Sequence, residues 1–415
     1  MARTGRLVEV GHRSREGTRW ATLGVLILVL VAVALARRIA TQGTPALVMH
    51  RTLAAYVRVP GRAPTLSWPR EGQAAVEVPG VGSFGSRGIS RPVPIASVAK
   101  VMTAYLTLLE HPLSPGAQGF VMRITLADVE EQGERAELGE SNVPVHVGER
   151  ITERQALQAL LLPSANNIAA VIAVHEGGSL AAFVARMNAT ASKLGMTSTT
   201  YTDPSGFNAG TVSTAADQLK LARVAMRLPT FASIVDERSA VLPVTGRVTN
   251  FNGLVGRDGY VGVKTGSDSA AGGCLVFAKR VTIAGRKLTV LGVVLGQRDG
   301  PLVEAALFSA QQLGDSAAAS LRVETIVPAH TEVLSASNVN GAHTTAVSAA
   351  PLQQIGWPGL KFPIEVLTRS AATHLHRGER AATVAVAGTD KVATSAVATR
   401  SVGGPSFGWR LRHLL

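Results

Sequence analysis

Two changes in apolar spacing along the chain restrict its fold more than any other feature. Strand-like runs occur at 74–78 and again from 259 to 296, whereas the apolar residues of 123–240 mostly have the spacing of helices. Within the second strand-rich region, the runs 272–281 and 286–296 are joined by a short turn, which is typical of a β-hairpin. Strands that bracket helices predict an α+β fold, with an antiparallel sheet and an inserted all-helical part.

The predicted helices have recognisable ends. The run 152–162 begins with a threonine, 180–196 ends at a glycine C-cap signal, and Pro229 follows the run 214–228. A further helix is predicted at 303–314, on the other side of the strand-rich region. These elements predict one domain at 73–317, whose helical subdomain covers about 118–245, with helices flanking the sheet.

Composition changes on both sides of that domain. Residues 37–72 are rich in Pro, Gly and Arg and are predicted to form a linker. Residues 318–415 are rich in Val, Thr, Ala and Ser in short alternating runs, which predict a small C-terminal β domain.

The N-terminus carries a membrane-directed signal. Residues 20–36 hold no charge and follow a basic tail, 1–19, that we expect to stay in the cytoplasm because the more positive side is retained there. Two interpretations remain open: a signal anchor forming a single span, or a signal peptide cleaved after Ala36. Either places the main domain outside the cytoplasmic membrane, tethered or secreted.

Charge and cysteine content exclude several functions. The net charge of +13 is spread along the chain and accompanies no nucleic-acid-binding motif, so a basic protein facing anionic lipid or an anionic polymer is favoured. Cys274, the single cysteine, cannot form an intrachain disulfide and is predicted to be a small buried residue.

No metal site or other cofactor is predicted. The chain has no HExxH motif, and His374 and His376 have no third ligand near them in the sequence. It also has no glycine-rich phosphate loop.

A serine and a lysine open the helix that begins near residue 97. Ser97 and Lys100 lie three residues apart and so share one helix face, one turn from each other. A serine hydroxyl becomes a nucleophile when a neighbouring base takes its proton, and a lysine is such a base only when neutral. Burial and a second nearby cation both lower a lysine pKa.

Two more motifs follow in order. Ser164-Ala165-Asn166 lies at the break between two helical runs, and Lys264-Thr265-Gly266 ends a strand. Each triplet alone is weak evidence; on its own, Ser164-x-Asn166 would be read as a helix cap. Together, and each on the element that the chemistry requires, they form a specific signal.

The three motifs resemble the SxxK, SxN and KTG set of the penicillin-recognising serine acyl-transferases. Within that superfamily the chain is similar to the low-molecular-mass D-alanyl-D-alanine carboxypeptidases, over about 74–315, in stretches such as PIASVAKVMTAYLTLL and GVKTGSDSAAGGCLVFAKR. The resemblance implies a β-lactamase/transpeptidase-like domain. It is weak before residue 90, where PGVGSFGSRG replaces the family's Asp-containing hairpin, and loose after 318.

The resemblance also implies a role for each motif residue. Ser97 would be the nucleophile, Lys100 its base and Ser164 a proton shuttle toward the leaving amine. Lys264 would be the second cation near Lys100, because the resemblance places the KTG strand beside the Ser97 helix. The remaining expected roles are binding of the substrate amide and of Lys100 by Asn166, substrate-carboxylate binding by Lys264, Thr265 and Gly266, and an oxyanion hole formed by the backbone N–H groups of Ser97 and Ser267.

The implied reaction removes the terminal D-alanine from peptidoglycan stem pentapeptides through an acyl-enzyme, in cell-wall biogenesis, with β-lactam antibiotics as inhibitors. The motifs do not separate this from an endopeptidase or transpeptidase of the same superfamily. A serine β-lactamase is less favoured, because the chain has no glutamate from 177 to 236 that would drive deacylation. The intact motifs also disfavour a non-catalytic wall-binding protein. The sequence does not address the oligomeric state.

Overall fold

The structure is a computed structural model that describes residues 14–88 and 91–413. Residues 1–13 of the predicted basic tail lie outside the described residues.

Helices and strands alternate along the described chain. The helices are α1 (Ser14–Thr41), α2 (Lys100–Glu110), α3 (Leu126–Glu137), α4 (Glu153–Leu161), α5 (Asn166–Gly177), α6 (Leu180–Lys193), α7 (Ala215–Ala225), α8 (Pro229–Val235), α9 (Leu302–Ala319) and α10 (Phe407–Arg412). The strands are β1 (Val48–Arg51), β2 (Tyr56–Arg58), β3 (Gln73–Val78), β4 (Gly82–Arg87), β5 (Val93–Pro94), β6 (Val121–Arg123), β7 (Arg150–Thr152), β8 (Val212–Ser213), β9 (Ser239–Leu242), β10 (Gly246–Thr249), β11 (Tyr260–Asp268), β12 (Gly272–Ile283), β13 (Arg286–Gln297), β14 (Arg322–Val327), β15 (Glu332–Ser337), β16 (His343–Ser348), β17 (Leu352–Gly356), β18 (Lys361–Thr368), β19 (Arg380–Val386) and β20 (Val392–Ala398).

The central sheet joins chain segments that are far apart in sequence. Its order is β11-β12-β13-β3-β4, and every pair is antiparallel. The predicted hairpin is confirmed, since β12 and β13 pair from Ile283 and Arg286 outward. Ala284 and Gly285 make the turn with positive φ, which matches the right-handed twist of the two strands.

Each face of this sheet is covered by helices. Helix α9 packs on β12 and β13 on one side, whereas α7, α8 and the segment that opens α2 pack on the other. Strands β3, β12 and β13 are therefore largely buried, as their apolar runs require.

The helices predicted within 118–245 are confirmed as α4, α6 and α7, with ends set by their caps. Thr152 forms a capping box with Gln155 at the start of α4, and Gly195 follows α6 with a positive φ. Pro229 differs from its expected role as a helix stop, because it also occupies the first turn of α8, where its missing N–H costs nothing. The same region holds two small ribbons, β6-β7 and β9-β10.

The C-terminal region is built from strands, and it recruits part of the segment expected to be a linker. A seven-stranded sheet has the order β1-β15-β16-β20-β19-β18-β2. Strands β1 and β2 both fall within 37–72, so that segment is not an unstructured connection. Both strands are short and pair only with distant strands, β15 and β18, which is why local composition gave no sign of them.

The two β regions contact each other through aromatic side chains. Phe84, on the edge strand β4, stacks on Trp357 with ring centroids 3.7 Å apart. Trp357 and Ile355 are buried in one apolar cluster with residues of the central sheet and α9.

The N-terminal helix α1 contains the uncharged run 20–36. Its segment Arg19–Thr41 has 23 residues. The most apolar stretch of that segment has a mean hydropathy of 2.4, and none of it is buried against the rest of the protein. At 1.5 Å per residue the segment is about 34 Å long, enough to cross a bilayer, and a signal sequence has the same properties.

Candidate active site

Ser97 lies in a single 3-10 turn, Ala96–Ala99, that leads directly into α2. Ala96 begins the turn with a positive φ of 45°, an uncommon conformation for a residue with a side chain. The one-turn spacing predicted from the sequence brings Ser97 Oγ to 2.7 Å from Lys100 Nζ.

Lys100 is completely buried, and its amine has three oxygen partners. Besides Ser97 Oγ, Nζ contacts Asn166 Oδ1 at 2.5 Å and the backbone carbonyl of Ser205 at 3.0 Å. Burial, and then the charge of Lys264, hold the pKa of Lys100 well below its usual value; Asp203 and Glu140 act in the opposite direction.

Lys264 and Thr265 lie on β11, and both side chains are buried. Burial lowers the pKa of Lys264 to about 7. Lys264 Nζ donates to the carbonyl of Thr265 at 2.9 Å. Since that is its single hydrogen bond within the described residues, the ammonium form keeps two N–H groups for another acceptor.

Gly266 makes a close approach, but to protein backbone. A Cβ at this position would lie 2.9 Å from the backbone nitrogens of Ser97 and Val98. The family resemblance placed Gly266 among the residues that bind a substrate carboxylate. The structure gives a different reason for a glycine here, which is packing. Gly266 lets β11 lie directly against the turn that carries Ser97.

Ser164 and Asn166 do not cap a helix, which contradicts the alternative reading of this motif. Ala165 is the N-cap of α5 and makes no side-chain cap bond. Asn166 is bound to Lys100 instead. Ser164 has a positive φ of 67°, and its buried Oγ has no hydrogen-bond partner among the described residues. The structure therefore joins Ser97, Lys100 and Asn166 by hydrogen bonds, whereas Ser164, two residues before Asn166, has an unpaired buried hydroxyl.

Glu140 is a buried side chain that the sequence analysis missed. Its Oε2 accepts from Asn166 Nδ2 at 2.6 Å and from Arg135 at 3.0 Å. Because the carboxylate accepts from the amide nitrogen, the amide oxygen of Asn166 is the atom turned toward Lys100. A glutamate 26 residues away carries no spacing signal that would have revealed this role.

The turn after Asp203 supplies the carbonyl that binds Lys100. Asp203 Oδ2 accepts from Ser205 Oγ at 2.6 Å and from the backbone N–H of Gly206 at 2.7 Å. Thr103 on α2 donates to the carbonyl of Pro204 at 2.6 Å, which fixes the turn to the Ser97 helix. The Asp-Pro-Ser-Gly sequence is a recognisable turn signal, but its partner is visible only in the fold.

Ser267 and Cys274 lie around the end of β11. Ser267 is exposed and pairs with Gly273 in the sheet. Arg298 donates to the carbonyls of Ser269 and Ala270 and so holds the turn that follows. Cys274 is buried, and burial raises the pKa of its thiol to about 12.

Two cavities differ in their relation to these residues. A cavity of about 430 Å³ is lined by Asn166, Ser205, Asp203 and Arg135 among others. A larger groove of about 1010 Å³, between residues 67–71 and α9, contains none of the motif residues. Of the motif residues, the smaller cavity includes Asn166 alone, so the hydrogen bonds around Lys100, and not either cavity, identify the site.

The two histidines of the C-terminal region do have a third potential ligand. Glu379 lies with His374 and His376 in one group whose ligand atoms are within 4.8 Å of one another. The expectation that no third ligand is near them was therefore wrong. Glu379 accepts from Arg369 and from the backbone N–H of His376, so its carboxylate is already occupied.

Comparisons with known proteins identify the family of this chain. A family model described as D-alanyl-D-alanine carboxypeptidase matches residues 85–299. The chain is 33% identical over 225 residues to the D-alanyl-D-alanine carboxypeptidase of Streptomyces sp. (strain K15), which covers 50% of this chain and 74% of that protein. It is 31% identical over 191 residues to the D-alanyl-D-alanine endopeptidase of Escherichia coli (strain K12), covering 44% of this chain and 58% of that one.

Solved structures give the same picture. The crystal structure of the Streptomyces K15 DD-transpeptidase matches with a TM-score of 0.52 and 27% identity, covering 62% of this chain and 98% of that one. The D-alanyl-D-alanine carboxypeptidase DacD from Francisella tularensis matches with a TM-score of 0.59 and 18% identity over 83% of this chain and 96% of that one. The second likeness concerns the fold alone. The predicted α+β, β-lactamase/transpeptidase-like fold is confirmed.

Proposed function

The chain belongs to the D-alanyl-D-alanine carboxypeptidase family of serine peptidases, and from that premise we propose that Ser97 removes the terminal D-alanine of peptidoglycan stem pentapeptides. One observation carries the assignment of the nucleophile. Ser97 Oγ lies 2.7 Å from the amine of Lys100, a fully buried lysine with a second buried lysine near it.

The contacts of Lys100 support its role as the base. The Asn166 and Ser205 carbonyl oxygens can only accept, so Lys100 must donate one N–H to each. A neutral amine has two N–H groups and one lone pair. With both N–H groups used, the lone pair is left for the hydroxyl of Ser97, which is the arrangement that proton removal requires.

The proposed reaction has two steps, acylation of Ser97 and hydrolysis of the acyl-enzyme. Ser97 Oγ attacks the carbonyl carbon of the penultimate D-alanine as its proton passes to Lys100 Nζ. The C–N bond then breaks, the proton passes through Ser164 Oγ to the departing amine, and D-alanine leaves. Water next attacks the ester carbonyl and gives its proton to Lys100. The C–O bond to Ser97 then breaks, Lys100 returns the proton to Ser97 Oγ, and the shortened peptide leaves.

Ser164 suits the transfer because its buried hydroxyl has no competing partner among the described residues. A hydroxyl is both donor and acceptor, so it can receive one proton while giving another.

Lys264 and Thr265 would bind the carboxylate of the leaving residue. A substrate carboxylate next to Lys264 favours the ammonium form, so binding would raise a pKa that burial holds at about 7. The backbone N–H groups of Ser97 and Ser267 would stabilise the oxyanion, each contributing about 3 kcal/mol.

The E. coli relative favours a second candidate activity, cleavage of cross-linked peptides. Product analysis separates the two. The full-length protein in detergent is incubated with a stem pentapeptide and with a cross-linked dimer, and the products are weighed by mass spectrometry. Loss of one D-alanine from the pentapeptide supports the carboxypeptidase, whereas release of monomer from the dimer supports the endopeptidase. Ser97→Ala should abolish either activity while the protein remains folded.

We also propose that α1 tethers the catalytic domain to the outer face of the cytoplasmic membrane. Its length and hydropathy support a span, and the arginines of the preceding tail support an N-terminus in the cytoplasm. N-terminal sequencing of the mature protein distinguishes a retained anchor from a cleaved signal peptide.

A further inference from the structure

A second group of charged side chains lies at the opposite end of the helices that begin at the active site. Helix α2 starts at Lys100 and ends at Glu110, and α5 starts at Asn166 and ends beside Glu176. Ten residues of helix separate Lys100 from Glu110, a distance of about 15 Å. We name Glu110, His111 and Glu176 the distal cluster.

The spacing within the distal cluster suits a metal ion. One ligand atom from each residue lies within 4.8 Å of the other two, and His111 Nε2 is 3.4 Å from Glu176 Oε2. Bonds of about 2.0–2.1 Å in a tetrahedral arrangement place neighbouring ligand atoms about 3.3–3.4 Å apart. The histidine and Glu176 are already at that separation, and the ligand atom of Glu110 lies within 4.8 Å of both.

Burial supplies an independent reason for a cation here. The side chain of Glu176 is 0% exposed, and neither carboxylate oxygen accepts a hydrogen bond from any described residue. Its ion-pair contact with His111 Nε2, at 3.4 Å, holds only while that imidazole is protonated. Glu153, at the start of α4, is 2% exposed, its Oε1 also lacks a partner, and its charge interacts with those of His111 and Glu176. Buried carboxylates without partners are costly unless they are paired or coordinate a metal.

The charges that face the cluster leave a negative surplus. Glu110, Glu153 and Glu176 supply three carboxylates, and Arg186 supplies one guanidinium, which pairs with Glu110. With all three carboxylates ionised and His111 neutral, the state that metal binding requires, the balance is two negative charges. Arg186 also donates to the backbone carbonyl of Glu176 at 2.7 Å, so it stays anchored if Glu110 turns toward an ion. The ring of Phe120 packs edge-on against His111, with centroids 4.9 Å apart, and restricts its orientation.

We propose that the distal cluster binds one divalent transition-metal ion of the zinc type. Imidazole and carboxylate are ligands that Zn²⁺ accepts, and a divalent ion cancels the two surplus charges. The ion joins the end of α2 to the end of α5. Glu153 on α4 and Arg186 on α6 interact with the same cluster, so these two helices are linked to it as well. It is structural and takes no part in the reaction at Ser97, which lies at the other end of α2.

The test uses the full-length protein in detergent, stripped of metal with a chelator and titrated with Zn²⁺ by calorimetry. We expect one site per chain and a rise in melting temperature on binding. His111 is half-exposed, so His111→Ala should leave the fold intact. It should weaken Zn²⁺ binding by about 100-fold or more, because loss of a residue that only supports a metal ligand already costs about 10–100-fold. Cobalt should give the strong visible absorption of a tetrahedral site in wild type and lose it in the variant.

His374→Ala is the matched control, because His374 belongs to the other histidine group. It should leave the Zn²⁺ affinity and the cobalt spectrum unchanged. Labelling of Ser97 by a fluorescent penicillin confirms that each variant is folded. Undetectable binding to wild type, binding that survives His111→Ala, or binding lost in His374→Ala alone would each overturn the proposal.

Discussion

Gly266→Ala tests how closely β11 must lie against the Ser97 turn. The added Cβ would be 2.9 Å from two backbone nitrogens and 3.0 Å from the carbonyl oxygen of Ile95, whereas ordinary contact begins at 3.4 Å. All three neighbours are backbone atoms, so no side chain can rotate away. The strand and the turn must therefore separate by about half an ångström, as in other overpacked cores, which costs about 1–3 kcal/mol.

The separation also moves Lys264 and the N–H of Ser267 away from Ser97. A misplacement of 1 Å at a reacting centre costs about 100-fold in rate, so half that distance predicts about a tenfold loss or more. The assay measures the rate at which a fluorescent penicillin acylates Ser97, and denaturant unfolding measures the stability of the same sample. Both quantities should fall together.

Gly133→Ala is the control for the size of the substitution. Gly133 lies within α3, and a Cβ there meets nothing within 4 Å. This variant should be more stable by about 0.5–1 kcal/mol, because alanine favours helix, and should acylate at the wild-type rate. If Gly266→Ala acylates as fast as wild type, the close approach of strand and turn is not what positions the site.

Three further changes test the surroundings of the site. Lys264→Met removes a cation that lowers the pKa of Lys100, so less Lys100 is neutral at a given pH; the acid limb of the acylation profile should move to higher pH. Glu140→Ala leaves the Asn166 amide nitrogen unpaired and removes one of the two carboxylates that pair with Arg135, so denaturant unfolding should show a loss of about 1–3 kcal/mol, with slower acylation. Glu77→Ala breaks an ion pair between the sheet and α7, so stability should fall by about 1.5–3 kcal/mol while acylation per folded molecule is unchanged. An unmoved profile, an unchanged stability or a lost acylation, respectively, would contradict these expectations.

The parts of the fold that local patterns encode were predictable. The hairpin of β12 and β13 and the helices α4, α6 and α7 follow from apolar spacing and turn or cap residues. Strands β1 and β2 were not predictable, because each has four residues or fewer and is held by a partner hundreds of positions away. Nothing local distinguishes such a segment from a linker.

The candidate site also has a part that was predictable from the sequence and a part that was not. Ser97, Asn166 and Lys264 belong to motifs whose spacing is visible in the sequence. They lie, as predicted, at the start of a helix, at a break between two helices and on a strand. Glu140 and the Asp203 turn act on those residues through contacts that only the fold creates. A motif therefore identifies the groups that we propose contact substrate, but not the neighbours that orient them.

The most direct measurement of the central claim is the titration of Lys100 itself. The full-length protein is labelled with ¹³C at the lysine ε-carbons, and the Lys100 signal is identified by its absence in Lys100→Arg. Carbon shifts are then followed from pH 5 to 11. The account predicts a midpoint well below the usual 10.5, because burial and Lys264 both disfavour the charged amine. A midpoint at or above about 10.5 would leave Lys100 protonated during acylation and would contradict its role as the base that activates Ser97.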